Sequence, residues 1–193
     1  MGVRQAQREK RRWEIIEAAL DLFISKGYAG TKISDIAGRV SMSVGLLFHY
    51  FESKAKLYEE LIRIGLQGPA SVMGFDDSDP LRFFGEIAAY IMSALRDNSF
   101  TAKMFVLMIQ VRFDASVPES VKEHLNDNSL LEKSIAIISA GQSSGQVRDG
   151  DPVALAILFW QSISGIALYA AISPDSPLPE PEWIIDCMRS ADR

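Results

Sequence analysis

Among the side chains between residues 31 and 54 that carry a hydroxyl or ammonium group, five are placed to hydrogen-bond to phosphate oxygens. They are Thr31, Lys32, Ser34, Tyr50 and Lys54. Between them lies an apolar run that includes Val44, Leu46 and Phe48. Hydrogen-bond donors that suit a polyanion therefore lie on both sides of this short apolar segment in the sequence.

Two short helices joined by a tight turn would position these residues. Ile33, Ile36, Ala37 and Val40 recur at the spacing of one apolar helix face. Residues 41–43 interrupt that spacing. The first segment is therefore predicted to be a helix that ends near Val40.

Ser43 is a preferred N-cap residue for a second helix that begins at Val44. In that helix, Leu47 and Phe51 are four residues apart and are predicted to pack against the first helix. The residues left mostly on other faces are Val44, Gly45, Leu46, Phe48, His49 and Tyr50. The surface that these residues form is strongly apolar and aromatic. It therefore either completes a small core or contacts a second molecule.

A helix, a short turn and a second helix of this size have the geometry that sets a recognition helix into the major groove of DNA. The residues that carry the pattern are Ile36, Ala37, Ser43, Gly45, Leu47, Tyr50, Phe51, Ser53, Lys54 and Leu57. This segment resembles the DNA-binding segment of the TetR family of transcriptional regulators. The resemblance implies an all-α fold, in which an N-terminal three-helix helix-turn-helix DNA-binding domain precedes an α-helical ligand-binding and dimerisation domain.

The charge distribution fits a nucleic-acid partner even though the net charge of the chain is −5. Residues 1–63 contain 11 Lys and Arg against 8 Asp and Glu, whereas residues 64–193 contain 9 against 17. The basic residues are thus concentrated at the end that holds the helix-turn-helix, as neutralisation of phosphates requires. A solvated charge imbalance without a partner is the alternative.

By position in the family motif, Thr31, Tyr50 and Lys54 are expected to contact the DNA backbone. The residues expected to face the bases are Val44, Gly45, Leu46 and Phe48. The predicted DNA-binding set is completed by Lys32, Ser34, Ser43 and His49.

The recognition helix departs from the usual pattern of the family. Ser41 occupies a turn position where the family commonly has glycine, and the helix lacks the Arg, Asn or Gln that would identify guanine or adenine. Contact of its apolar side chains with thymine methyl groups remains. We therefore predict thymine-rich half-sites, with added specificity from Arg39, or from Arg4 and Arg8 in a narrow minor groove.

Capping signals place the helices around this motif. The first helix is predicted from about Glu9 to Lys26, with Gly27 as a left-handed C-cap residue. Thr31 is predicted to cap the second helix, and Ser53 the fourth. The helix-turn-helix domain is assigned to residues 1–52 and the ligand-binding and dimerisation domain to residues 53–193.

The second domain is predicted to be helical throughout. Gly65, Gly68 and Pro69 are expected to bend or end the fourth helix, since proline removes an intrahelical hydrogen bond. Asp79 and Asp151, each followed by proline, are predicted N-caps. A helix that begins at Pro118 is predicted to be interrupted at residues 126–128.

Large aromatic and methionine side chains are more numerous in this domain than a minimal bundle needs. Methionine adapts to irregular guests, so a site for a small hydrophobic effector between helices is predicted. The candidate lining residues are Phe84, Tyr90, Met104, Met108, Phe113 and Trp160. The resemblance implies a regulator that such a ligand releases from a palindromic operator.

Residues 153–172 contain no charged side chain and are long enough to span a bilayer. Their flanks lack the Lys and Arg excess that orients a spanning helix, and a helix that is apolar all round is otherwise buried in a core or an interface. We therefore expect no membrane partner. This helix and the last one, around Trp183, are expected to form a homodimer contact, as the resemblance also implies.

The sequence offers no catalytic or metal-binding motif, and it contains only two histidines. We expect no enzymatic activity, no cofactor and no metal. Cys187 is the only cysteine and is expected to be buried in a cytoplasmic protein. The function predicted is a ligand-responsive repressor of transcription; a DNA-binding accessory protein of the same fold without an effector is the alternative.

Overall fold

The computed structural model describes residues 2–190, apart from the side chain of His124. The elements of this part of the chain are helical, and the all-α class predicted from the sequence is confirmed. The α-helices are α1 Val3–Gly30, α2 Ile33–Arg39, α3 Val44–Phe48, α4 Lys54–Val72, α5 Pro80–Asp97, α6 Ser99–Phe113, α7 Glu119–Lys122, α8 Ser129–Ser143, α9 Pro152–Ile172 and α10 Pro181–Asp186. A 3-10 turn, Glu123–Leu125, and a break at residues 126–128 interrupt the segment after Pro118, as predicted.

The chain divides into two compact units. The first consists of Met1–Leu66 and Lys103–Asn126, and the second of Gln67–Ala102 and Asp127–Arg193. Helices α4 and α6 continue from one unit into the other. These compact units differ from the functional domains predicted as residues 1–52 and 53–193, and the boundary between those domains stays a prediction.

The first unit is built on the packing of α1, α2 and α3. The core side chains that α1 supplies include Ile15, Ile16, Leu20 and Phe23, all essentially buried. Helix α1 begins at Val3, six residues before the predicted start, because the basic segment continues the helix. Gly27 has a positive φ of 71° and interrupts helical geometry, which agrees with the predicted end of the first helix.

The turn between α2 and α3 is closed by local interactions. The Ser43 side chain accepts a hydrogen bond from the Leu46 N–H at 3.2 Å, which confirms the predicted N-cap. Ser41 adopts a φ of 51°, in the left-handed region that costs most residues free energy. The turn therefore requires a conformation for which glycine is better suited.

Replacing Ser41 by glycine is expected to raise the free energy of unfolding by about 0.5–1 kcal/mol, because glycine relieves the left-handed strain but costs more backbone entropy on folding. Urea denaturation of the purified protein measures the effect. Ser41→Ala retains the strained φ and should give no gain. Equal stabilisation by both substitutions would refute the assignment of strain to this residue.

Helix α4 begins as predicted but does not end as predicted. The Ser53 hydroxyl accepts a hydrogen bond from the Lys56 N–H at 3.1 Å. The helix continues to Val72 with Pro69 inside it, so the expected termination near residues 65–69 is wrong. Gly65 has a packing role instead, because a Cβ atom there would overlap the Met108 side chain.

The second unit packs α5, α8, α9 and α10 around an aromatic centre. Phe84 contacts Phe83 and Phe159 edge to face, with ring centroids 5.2 and 4.7 Å apart. Asp79 and Asp151 cap α5 and α9 through their side chains, as predicted. These caps follow from local sequence, whereas the aromatic centre depends on how the helices pack.

Cys187 is exposed, and the prediction that it is buried is wrong. Helix α10 ends at Asp186, so Cys187 lies just beyond it. The side chains that bury the apolar face of this segment are Ile184, Ile185 and Met188.

Candidate nucleic-acid interface

Helix α3 separates its side chains into a buried face and an exposed face. Leu47 is completely buried, and Phe51, just after the helix, is almost so. The exposed fractions of Val44, Leu46 and Phe48 are 39%, 47% and 45%. Three large apolar side chains therefore remain in solvent on one five-residue helix, so the aromatic residues of this segment do not all complete the core.

The other predicted residues of α3 and its ends are close to this exposed face. Gly45 and His49 are exposed, and Tyr50 is half-buried. The Ser43 hydroxyl is engaged in the N-cap, where it accepts the Leu46 N–H. The contacts of these residues with DNA stay predictions.

The side chain of Thr31 is engaged within the protein. It is buried, and its hydroxyl donates to the carbonyl oxygens of Leu22, at 3.0 Å, and Gly27, at 2.8 Å. Residue Lys32 occupies the N-cap position of α2, without a side-chain hydrogen bond. The predicted N-cap role of Thr31 is therefore wrong, and in this structure its hydroxyl stabilises the end of α1.

The Lys54 ammonium group is also used within the chain. It donates to the carbonyl oxygens of Tyr28, at 2.8 Å, and Thr31, at 3.1 Å, and it lies 4.2 Å from the centroid of the Tyr28 ring. An ammonium group has three donors, so one remains for a phosphate oxygen. Lys54 thus anchors the connection between α1 and α2, whatever it contacts on DNA.

Two further predicted contacts, Lys32 and Ser34, are exposed at the start of α2. Arg39 is exposed too, but its guanidinium group forms an ion pair with Asp21 at 3.1 Å. An exposed pair of this kind contributes little free energy, so a phosphate or a base could displace Asp21.

A cleft of about 680 Å³ lies between the first turns of α1 and Tyr50, and we call it the basic cleft. Its lining side chains are Arg4, Gln7, Arg8, Lys10, Arg11, Glu14 and Tyr50. Arg4, Arg8 and Arg11 follow helical spacing on α1, so the structure places them on a helix. Sequence reasoning singled out Arg4 and Arg8 and missed Arg11, although the same helical spacing in the sequence would have found it.

Glu60 on α4 is held between two arginines. Its carboxylate accepts hydrogen bonds from Arg12, at 2.5 Å, and from Arg63, at 2.7 and 2.8 Å. The bonds from Arg63, with those from Arg12, lower the pKa of Glu60 to about 2. Because Arg12 comes from α1, this carboxylate joins the first and fourth helices.

The free energy of unfolding is expected to depend on pH through Glu60. A folded-state pKa near 2, below the ordinary 4.5, means that the stabilisation is complete above about pH 4.5 and is lost as the pH falls towards 2. Its size is about 2–3 kcal/mol. Chemical denaturation of wild type and Glu60→Gln at pH 6, 4 and 2.5 should show the two free energies converging at low pH. The control Glu59→Gln, which removes only an exposed pair with Lys56, should differ little from wild type at any pH.

The residues predicted to bind an effector fall in both compact units. In the second unit Phe84 is buried, Tyr90 is half exposed, and the Trp160 indole N–H donates to the Ser134 hydroxyl at 3.0 Å. The members in the first unit are Met104 and Met108, which approach Gly65, and Phe113, which is exposed. Within the second unit, Phe159 contacts the rings of both Phe84 and Trp160.

Helix α9 presents one apolar face outside the second unit. Ile157, Leu158, Leu168 and Tyr169 are exposed, whereas Phe159, on another face, is buried. This helix is long and apolar enough to cross a membrane, and 33% of its most apolar stretch is buried in the structure. Core helices of soluble proteins can have the same length and apolar composition.

No group of three or more His, Cys, Asp or Glu side chains suited to a metal ion occurs among residues 2–190, as far as their side chains are described.

Comparisons with known proteins agree with this architecture. A protein-family model for bacterial regulatory proteins of the tetR family matches residues 15–61. The HTH-type transcriptional regulator RutR of Escherichia coli (strain K12) is 28% identical over 172 residues, which are 88% of this chain and 79% of that protein.

Solved structures extend the similarity of fold along the chain. The ketosteroid transcriptional regulator KstR2 of Mycobacterium tuberculosis matches with a TM-score of 0.72 and 16% identity, over 94% of this chain and 96% of that one. AibR, crystallised with isovaleryl coenzyme A and operator DNA, matches with a TM-score of 0.64 and 18% identity, over 92% and 95% of the two chains.

Proposed function

The chain belongs to the TetR family of bacterial regulatory proteins, and on that premise we propose that it is a dimeric repressor that a small hydrophobic effector releases from its operator. Its DNA-binding domain comprises residues 1–52, and residues 53–193 bind the effector and form the dimer. It acts in the cytoplasm, without a membrane partner, and catalyses no reaction.

The outward apolar face of α3 is the observation that carries this proposal. Exposed Val44, Leu46 and Phe48 have no side-chain hydrogen bonds to offer, so they can read a base only by contact with the thymine methyl group. The basic cleft, which Tyr50 lines two residues after α3, supplies charge for phosphates, which fix register rather than sequence. The first unit thus offers both an apolar surface for base readout and a basic surface for phosphates.

A second copy of the chain is the proposed partner of the exposed face of α9. Ile157 and Leu158 lie near one end of this face and Leu168 and Tyr169 near the other, with exposed Gln161 and Gly165 between them, and Trp183 on α10 is exposed as well. A two-fold interface places the same face on both subunits. Two recognition helices would then enter successive major grooves about 34 Å apart.

The proposed effector is an apolar molecule. One protein of similar structure is a ketosteroid regulator, and another was crystallised with isovaleryl coenzyme A, whose acyl group is apolar although its coenzyme portion is charged. In this chain, the edge-to-face rings of Phe84, Phe159 and Trp160 offer an aromatic surface in the second unit. A ligand releases the protein from DNA only if it binds one conformation more tightly than the other.

Selection from a random duplex library followed by footprinting tests the proposal. We expect a palindrome with thymine-rich half-sites. Replacing one contacted thymine by uracil removes a single methyl group and should weaken binding about fourfold, which corresponds to one buried carbon. A core of G·C pairs alone, or no effect of uracil at any position, would contradict readout by α3.

Binding assays with the purified protein and the selected duplexes also distinguish a repressor from an accessory protein of the same fold. A repressor should bind one palindrome and dissociate when an extract fraction of small hydrophobic molecules is added. An accessory protein should bind many unrelated sites, with no effector response.

A further inference from the structure

A pocket of about 380 Å³ lies within the first unit, where α1, α4 and α6 meet. We call it the aromatic pocket, and its principal lining residues are Phe23, Tyr28, Tyr58, Ile109, Phe113 and Asp114. The volume falls in the range of small-molecule sites, which are mostly apolar with a few placed polar groups. Of the residues predicted to contact DNA or an effector, Phe113 alone lines this pocket.

Tyr58 contributes a polar group that the protein itself does not use. The residue is 2% exposed and packs edge to face with Phe23 and Tyr28, at centroid distances of 4.8 and 5.0 Å. Its hydroxyl has no hydrogen-bond partner among the described residues, and no such side-chain atom among them is both fully buried and unpaired. The unpaired hydroxyl is therefore not fully buried, and the residue that carries it lines the pocket.

Asp114 places a negative charge beside that hydroxyl. Its Oδ1 accepts hydrogen bonds from the Ser116 hydroxyl, at 2.6 Å, and the Ser116 N–H, at 2.8 Å, which hold the pKa of Asp114 below its ordinary value. Its Oδ2 accepts only the Tyr28 N–H, at 3.3 Å. Burial and the charge of Asp114 raise the pKa of Tyr58, so the phenol is neutral at physiological pH. The pocket thus combines a carboxylate oxygen that has a free lone pair with a neutral hydroxyl.

The walls around these two groups are partly open and mostly apolar, with Gln110 as a further polar side chain. Phe113 is 83% exposed and Ile109 lies one turn before it on α6, so both side chains present apolar area to solvent at the pocket. Asp114 is the one charged residue among those that line the pocket. A carboxylate beside aromatic rings favours a cation that it can pair with. The Tyr28 ring already has the Lys54 ammonium group 4.2 Å from its centroid, so Asp114 accounts for the preference.

We propose that the aromatic pocket binds a small organic cation, a primary ammonium group attached to an apolar ring. The ammonium donates to Asp114 Oδ2 and to the Tyr58 hydroxyl oxygen, while the ring lies against Phe113 and Tyr28. An anion would be repelled by Asp114, and a neutral analogue would leave the carboxylate without its partner.

Occupation of this pocket would act on the connection that carries the recognition helix. Asp114 Oδ2 holds the Tyr28 N–H, and the Tyr28 carbonyl oxygen accepts the Lys54 ammonium group. A ligand ammonium that shares Oδ2 weakens the long 3.3 Å bond from Tyr28 and so changes the restraint on the last turn of α1. This consequence for DNA binding rests on the proposed function, whereas the binding of the cation does not.

Titration of the full-length protein with 2-phenylethylammonium tests the site, with 2-phenylethanol and 3-phenylpropanoate as neutral and anionic comparators. Chemical-shift changes or calorimetry should give one site per chain and an affinity for the cation about tenfold above that for either comparator. Asp114→Asn should weaken the cation about tenfold and Tyr58→Phe about threefold.

Asp127→Asn is the matched control, because Asp127 also accepts the N–H of a serine two residues later but lies in the other unit. It should leave the affinity unchanged. Phe113→Ala, which removes an exposed side chain and so spares the fold, should weaken binding about threefold. Equal affinities for the three probes, no binding at millimolar concentration, or full affinity in both Asp114→Asn and Phe113→Ala would overturn the site.

A second measurement separates the site from the proposed function. In wild type, saturating 2-phenylethylammonium should lower operator affinity at least threefold, and in Asp114→Asn it should not. Cation binding without any change in operator affinity overturns the coupling alone. A protein that binds the cation but no palindromic duplex overturns the proposed function and leaves the site intact.

Discussion

Replacing Ile157 and Leu168 together by glutamate is expected to convert the protein into a folded monomer that binds its operator at least a hundredfold more weakly. Both side chains lie on the exposed face of α9, at 47% and 39% exposure, so the isolated subunit tolerates the change. In a two-fold interface each substitution occurs twice, and unpaired buried carboxylates cost several kcal/mol. The loss of affinity follows because a monomer engages one half-site and loses the gain from linked binding.

Sedimentation at micromolar concentration and circular dichroism measure this result. Ile157→Ala with Leu168→Ala is the matched pair that removes apolar area without adding charge, and it should weaken the dimer to an intermediate degree. An unchanged dimer in the glutamate variant would show that another surface joins the subunits. A variant that unfolds would show instead that the face of α9 is part of the core of a single chain.

Replacing Arg4, Arg8 and Arg11 together by glutamine is expected to lower operator affinity on the order of a thousandfold at physiological salt, because a dimer loses six phosphate contacts. The three side chains line the basic cleft beside Tyr50. The slope of log affinity against log salt should become shallower by about five. Because phosphate contacts carry no sequence information, the preference between operator and unrelated duplex should change less than the affinity does.

The control is a triple glutamine variant at Arg82, Arg96 and Arg189. These arginines are exposed in the second unit. Their replacement removes the same charge from the chain as replacement of the three arginines of the basic cleft. Their loss should leave the salt slope unchanged, since only charges near the phosphates release counterions. Equal slopes in the two triple variants would mean that net charge, rather than the basic cleft, sets the affinity.

Much of the helical layout was predictable because helix signals are local. Ser43, Asp79 and Asp151 cap backbone N–H groups within three residues of themselves, and a side chain that close needs no tertiary structure to find its partner. The burial of Leu47 likewise follows from spacing along the helix. Pro69 shows the limit of such rules, because α4 continues past it.

The site could be predicted only in part. The exposed apolar residues of α3 follow from the pattern, but the hydroxyl of Thr31 finds its acceptors in the preceding helix, and Lys54 reaches back 26 residues to the Tyr28 carbonyl oxygen. Asp114 meets the Tyr28 N–H across 86 residues of sequence. From residue type and motif position, Thr31 and Lys54 were predicted to contact DNA, and no role was predicted for Asp114.

The helices, most of their caps, the motif of the family and the exposed apolar face of α3 could be predicted from the amino-acid sequence, because each depends on residues within about one turn of the same helix. Which polar groups are used inside the protein became clear only from the way in which the helices pack. That choice depends on the angles and distances at which helices distant in sequence pack, and these determine whether Thr31 is buried, Lys54 is anchored and the Tyr58 hydroxyl is left unpaired.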